Sequence, residues 1–197
     1  MDTEKKPDRR VVKTKKAIRN ALAELLMKQD IENITVKDIA DKADVNRKTF
    51  YNYYLNVFQV IDEIENEISQ KFNNAISGIS TTDVLNDPQI VFDRINEIIS
   101  EDSEFYECLF RMENNPGLVI RLSDRLIKQT ISSLTEMGIE ETKAIIISDF
   151  FITGMIKAYK NWVNSDKEVT LENISDTLSV LIANGINGFL VKIDYEK

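Results

Sequence analysis

The apolar residues of this chain recur at three- and four-residue intervals in one segment after another. Nowhere do they alternate with the period of two that a half-buried strand requires. Ile18, Ala21, Leu22, Leu25 and Leu26 form one such stripe, in a helix predicted over 12–28 with Lys and Arg opposite. Val57, Ile61, Ile64, Ile68 and Phe72 form another, in a long helix predicted from an Asn56 cap to about Ile79. Asp87-Pro88 and Asn115-Pro116 each put a capping residue before a proline suited to the first helical position. Ser103 opens a short segment over 104–112, and Gly138 after Met137 reads as a helix stop. Two further helices are predicted over 140–164 and 171–189, the second capped by Thr170 with Asn173 three residues on. The expected fold is all-α, with about nine helices by these stops and caps.

Residue usage narrows the chemistry. The single cysteine, Cys108, leaves no disulfide framework and no cysteine-ligated zinc. The absence of histidine removes the Ser-His-Asp and Cys-His arrangements and the commonest ligand of catalytic zinc. No apolar run reaches the ~18 residues that suggest a membrane span. The charged start, with no apolar stretch behind it, does not read as a secretory signal. A cytoplasmic, soluble chain with no metal, no cofactor and no membrane partner is expected.

Net charge is -8, yet its distribution is uneven. Residues 1–55 hold 13 Lys or Arg against 9 Asp or Glu, whereas 56–197 hold 12 against 24. A basic end on an acidic body concentrates phosphate attraction on one face and repels a polyanion elsewhere. The densest cluster is Lys5, Lys6, Arg9, Arg10, Lys13, Lys15, Lys16 and Arg19. Charge alone would equally suit a solvated basic tail.

The segment after this cluster is more specific. Thr35 can cap Val36–Ala43 with Asp38 three residues on, an imperfect capping box, and Asn46 can cap a third segment over 47–54. Ala40 is small where the two helices must meet, Ile39 and Val45 fill the wedge, and Phe50 points back to the first helix. That leaves Arg47, Lys48, Thr49, Tyr51, Asn52 and Tyr53 outward, a mixture of donors, hydroxyls and aromatics fit for phosphates and major-groove base edges.

The run from Ile34 to Tyr54 resembles the DNA-binding signature of the TetR family of bacterial transcriptional regulators. The basic first helix with Thr14 near its start, and the long helix from Val57, are similar as well. The resemblance covers the first quarter to third of the chain. It implies a helix-turn-helix domain over 1–55 and an all-helical ligand-binding and dimerisation domain over 56–197. It also implies a homodimer on a palindromic double-stranded operator, released by a small-molecule effector. By the same resemblance Thr35 and Asn46 are phosphate-bonding caps, and Arg47, Lys48 and Thr49 read bases. Tyr51 and Tyr53 contact phosphate and thymine methyl groups, and Asn52 is a variable reading position. Phe50 and Tyr54 match core positions.

Two positions depart from the family pattern. Asp44 stands where the turn usually has glycine, and Asp tolerates a left-handed backbone better than most residues. Leu55-Asn56-Val57-Phe58-Gln59 lacks the lysine with which the family clamps a phosphate, so binding is expected to lean on Lys13, Lys15, Lys16 and the backbone amides of the fourth helix.

The segments Phe150–Trp162 and Gly185–Phe189 look like the last two helices of one branch of the family, which pair across the dimer. Gly154, Ala158, Ala183, Gly185 and Gly188 would allow close helix approach there. Phe92, Phe105, Phe110, Phe151, Met155, Tyr159 and Trp162 are candidates for lining an effector cavity. Such a cavity would favour an apolar or aromatic ligand held by a few hydroxyls. A Phe or Met at helical spacing is far more often plain core than the lining of a cavity.

An enzyme is not expected. Glu63 with Glu67, and Glu101 with Glu104, have helical spacing but lie in heavily charged stretches that read as solvated faces. No glycine-rich phosphate loop occurs. Two other readings keep the fold: a regulator that activates or is controlled by a protein partner, and a binding module without DNA affinity.

Overall fold

The structure, a computed structural model, describes residues 8–79, 83, 87–112, 116–136, 138–166 and 168–195. Among the described residues there are nine α-helices and no strand. They are α1 (Arg9–Leu26), α2 (Val36–Lys42), α3 (Arg47–Tyr51), α4 (Val57–Ile76), α5 (Gln89–Glu101), α6 (Ser103–Arg111), α7 (Pro116–Glu136), α8 (Glu141–Val163) and α9 (Leu171–Tyr195). A 3-10 turn, Ile31–Asn33, precedes α2. Lys5, Lys6, Asn115 and Met137 lie outside the described residues.

Local chemistry sets the boundaries. Helix α1 starts earlier than the periodicity predicts because the Asp8 carboxylate accepts from Arg10 N at 2.9 Å and caps it. At α2 the Thr35 hydroxyl accepts from Asp38 N while the Asp38 carboxylate accepts from Thr35 N, a complete reciprocal cap. Helix α3 ends at Tyr51 rather than Tyr54, and Tyr53 N and Tyr54 N both turn back to the Phe50 carbonyl. Helix α4 ends at Ile76, just before Gly78 at φ +76°. Gly138, at φ +86°, gives the left-handed step between α7 and α8 that a side chain would strain. Helix α9 continues past Phe189 to Tyr195, its start fixed by the Thr170–Asn173 cap.

Helices α1, α2 and α3 form a kernel in which Ile18, Leu22, Leu26, Ile39 and Phe50 are fully buried. Helix α4 leaves this kernel and packs against α1, α5 and α7. Helices α7 and α8 make the largest contact of the body, and α9 lies across α5 and α8. Val57, Val60, Ile61 and Ile64 of α4, with Phe105, Tyr106 and Leu109 of α6, join kernel and body into one uninterrupted apolar core. Within it Glu65 is 3% exposed, its carboxylate held by Arg121 Nε at 2.6 Å and Arg125 Nη2 at 3.1 Å.

Candidate nucleic-acid interface

The turn between α2 and α3 is built by Asp44, the one described non-glycine residue at positive φ (+54°), and by Val45 N, which donates to the Ala40 carbonyl at 3.0 Å. Ala40 is 1% exposed, so the close approach demands its small side chain. Asn46 then caps α3: its Oδ1 accepts from Thr49 N at 2.7 Å and from Thr49 Oγ1 at 3.0 Å. Phe50 is fully buried and meets the Tyr51 and Tyr54 rings at 5.8 and 5.6 Å. With that side locked, Arg47, Lys48, Tyr51 and Asn52 face solvent, Tyr51 at 54% exposure. Thr49 and Tyr53 are half-buried at the rim of this face. The structure thus brings Arg47, Lys48, Thr49 and Tyr51 together on α3, with Asn52 and Tyr53 in the turn that ends it.

Thr35 and Asn46 are placed as helix caps, with the Thr35 hydroxyl donating to Asp38 Oδ2 at 2.6 Å. The two hydrogen bonds that this threonine donates to the carboxylate, from its hydroxyl and its backbone N–H, hold the Asp38 carboxyl below its ordinary range.

The basic cluster divides in two. Arg9, Arg10 and Lys13 are exposed along the start of α1. Lys15, Lys16 and Arg19 turn the other way and meet the acids of the body, so Lys15 and Lys16, expected to supplement the missing clamp, are paired there. Lys15 Nζ lies 2.8 Å from Glu63 and over the Tyr54 ring, Lys16 Nζ is 3.2 Å from Asp102, and Arg19 binds both Glu67 and Asp102. Their partners sit on α4 and at the α5–α6 corner, far away in sequence, which periodicity in α1 alone does not reveal. The same pairs account for Glu63 and Glu67, read from sequence as a solvated face. In the stretch without the clamp lysine Val57 is buried, whereas Leu55 and Phe58 are exposed.

The body contains an apolar cavity of about 80 Å³. It is lined by Ile68 and Phe72 of α4, Ile95, Ile98 and Ile99 of α5, Tyr106, Leu109 and Phe110 of α6, Val119, Leu122 and Leu126 of α7, and Met155, Ile156 and Tyr159 of α8. Of the seven candidates, Phe110, Met155 and Tyr159 are on its wall, with Phe110 and Tyr159 stacked at 5.9 Å. The Tyr159 hydroxyl donates to Asn96 Oδ1 at 3.1 Å, whose Nδ2 donates to Ser175 Oγ at 2.9 Å, so a polar chain ties α5, α8 and α9 behind the wall.

Phe92, Phe105, Phe151 and Trp162 are not on that wall. Phe92 is plain core, and Phe105 lies under the Arg19 guanidinium at 4.1 Å. Phe151 fills the space above Gly185, where a Cβ would come within 3.3 Å of its ring, and Trp162 Nε1 donates to the Val169 carbonyl at 2.7 Å. The sequence reading favoured aromatics, whereas the wall is mostly branched aliphatic; the isoleucines were hidden because they share the stripe pattern of any core helix. Cys108 is half-buried, and desolvation pushes its thiol up, so it stays protonated.

Ile146 and Phe150 of α8, and Val180 and Leu181 of α9, are exposed, Phe150 at 72%. Gly154 has open space before it, whereas Gly185 makes room for Phe151 within the chain. The packing of Gly188 lies outside the described residues. Among the described residues no helix is long and apolar enough to cross a membrane, and no cluster of His, Cys, Asp and Glu could hold a metal ion.

Residues 18–56 match the family model for bacterial regulatory proteins of the tetR family, and residues 86–184 match a transcriptional regulator C-terminal region. Over 56 residues the chain is 45% identical to the uncharacterized HTH-type transcriptional regulator YxbF of Bacillus subtilis strain 168; the match spans 28% of this chain and 15% of that protein. Two similar folds are the fatty acid degradation regulator FadR of Bacillus halodurans and a TetR transcriptional regulator of Streptococcus agalactiae 2603V. The first superposes with a TM-score of 0.64 at 17% identity, covering 93% of this chain and 98% of that one. The second gives 0.57 at 22% identity, covering 89% and 96%.

Proposed function

The chain belongs to the tetR family of bacterial regulatory proteins and is a DNA-binding transcriptional regulator, and we propose that it is a cytoplasmic, homodimeric repressor released from a palindromic operator by a small effector. The observation that carries this reading is the outer face of α3 and its C-cap, where Arg47, Lys48, Tyr51 and the capping Asn52 are exposed on a unit fixed by Asn46 and Phe50. Guanidinium, ammonium, phenol and amide groups on one face suit base edges and phosphates together. Residues 1–55 form the DNA-binding part and 56–197 the regulatory part. Arg9, Arg10 and Lys13 supply phosphate contacts beside α3, and the exposed apolar surface of α8 and α9 pairs with that of a second copy.

The effector is uncharged and largely hydrocarbon, because the cavity wall offers carbon and the Tyr159 hydroxyl is already bonded to Asn96. That wall also favours a small molecule over a protein as the trigger. Repression then follows as a coupling free energy: an effector that prefers the DNA-incompetent spacing shifts the population, and operator DNA opposes it reciprocally.

Selection of bound duplexes from random DNA, followed by a reporter assay on the operator recovered, tests the proposal. A palindromic consensus and higher transcription on deletion of the protein are expected. No consensus would favour a module without DNA affinity. Lower transcription on deletion, or copurification of a protein partner that governs binding, would favour the activator or protein-sensing reading.

A further inference from the structure

Arg19 is a basic residue on the helix that opens the DNA-binding kernel, yet it is only 8% exposed. Its Nη1 donates to Glu67 Oε1 of α4 at 2.7 Å, its Nη2 donates to Asp102 Oδ2, and the guanidinium lies 4.1 Å from the Phe105 ring centroid of α6. Nε and Nη2 also reach Asn20 Oδ1, so no edge of the fork is turned to a phosphate. A planar fork can hold two carboxylates on different elements at once, whereas an ammonium offers a single point of charge. Asp102 is equally engaged, its other oxygen lying 3.2 Å from Lys16 Nζ.

The place of Asp102 gives this pair its meaning. It is the single residue between the end of α5 and the start of α6. Ile98 and Ile99 just before it, and Tyr106 and Leu109 just after it, are on the cavity wall. The corner that Arg19 holds therefore joins two stretches of the cavity wall.

At about 80 Å³ the cavity is far below the roughly 300 Å³ at which pockets for ordinary small ligands begin. A close-packed interior does not compress, so an occupant must part the helices. We propose that Arg19 is a positioning residue for DNA binding, pinning the helix-turn-helix unit to α4 and the α5–α6 corner, and that dilation of the cavity moves the recognition helices through this pin. The inference rests on the effector reading above. Helix α1 packs on α2 and α2 on α3, so displacement of Arg19 carries the reading face with it. Lys16 reinforces the pin on Asp102, and Arg19 makes no contact with DNA.

The test uses the full chain and the operator recovered by selection, with cavity dilation built in by Leu122→Trp in place of an unidentified ligand. Operator affinity is measured for wild type, Leu122→Trp, Asp102→Asn and the double variant, each checked for helicity by circular dichroism. Asp102→Asn is isosteric and removes the charge together with one of the two acceptor oxygens that Arg19 and Lys16 share; if Leu122→Trp does not fold, Val119→Phe replaces it. We expect Leu122→Trp to weaken operator binding by at least roughly fivefold, the lower end of ordinary allosteric coupling. In the Asp102→Asn background the same substitution should change affinity by less than about twofold, a departure from additivity that marks coupled sites. Equal weakening in both backgrounds overturns the pin and leaves the cavity reading intact. No weakening in either overturns both, while failure of the wild type to select any operator overturns the DNA reading itself.

Discussion

Arg121 Nε lies 2.6 Å from a carboxylate oxygen of Glu65, a side chain that is only 4% exposed, so a charge buried on α4 is neutralised from the rim of α7. Arg125 holds the second oxygen at 3.1 Å. Both arginines retain access to water and Glu65 does not, which makes the cost of breaking the set asymmetric. Replacing Arg121 and Arg125 together by Ala strands a buried carboxylate and should cost about 3 kcal/mol or more in urea unfolding. Glu65→Leu removes the buried charge itself and should fall within about 1 kcal/mol of wild type.

The left-handed backbone at Asp44 predicts a second ordering. Asp44→Ala keeps the φ of +54° but loses the local polar compensation, and should cost about 1 kcal/mol. Asp44→Gly relieves the conformation while loosening the unfolded chain, leaving a net change of less than about 1 kcal/mol. Thermal unfolding of the three proteins distinguishes these outcomes.

Exposure separates reading from folding on α3. Lys48→Ala and Tyr51→Ala should leave stability within about 0.5 kcal/mol of wild type, as surface substitutions do. Operator affinity should nonetheless fall, by about 1–3 kcal/mol where a base contact is lost. Repeated selection from random DNA with Lys48→Ala should relax preference at one position of each half-site; uniform weakening on every sequence would assign Lys48 to phosphate.

Tyr54, Tyr106 and Tyr159 are held protonated above the ordinary value of 10.0, in each case chiefly by burial, with Glu63 and Glu67 adding to the effect at Tyr54 and Glu67 at Tyr106. The folded chain keeps these protons where the unfolded chain releases them. Their contribution is therefore complete below pH 10 and is lost as pH rises through the raised folded values. Urea midpoints should hold up to pH 10 and fall above it, and Tyr159→Phe should make the fall shallower.

The exposed apolar surface of α8 and α9 predicts the assembly. Phe150→Glu places a charge at the centre of the surface proposed to pair with a second copy, where desolvation makes it costly. Sedimentation should show monomers at concentrations where the wild type is dimeric, and operator affinity should fall with them.

The reading motif was legible because its residues obey local rules. The Thr35 and Asn46 caps, small Ala40, buried Phe50 and tolerant Asp44 all act within a few residues of chain, and each stands where the pattern places it. Helix count and class were legible for the same reason. The fates of Lys15, Lys16 and Arg19 were not, because their partners Glu63, Glu67 and Asp102 lie 48 to 86 positions away. The cavity was half legible: Phe110, Met155 and Tyr159 are on its wall, but a void is a property of how helices fail to fill space, and no stripe encodes it.

The uninterrupted core that runs from Phe50 through α4 to Tyr159 has a consequence for engineering. Grafting residues 1–55 onto a foreign sensor would leave the oily flank of Val57, Val60 and Ile64 behind, and with it part of the core that Phe50 shares. A chimera that keeps the donor's address must cross over beyond α4 and carry Glu67 with it, because the part that reads and the part that listens share one keel.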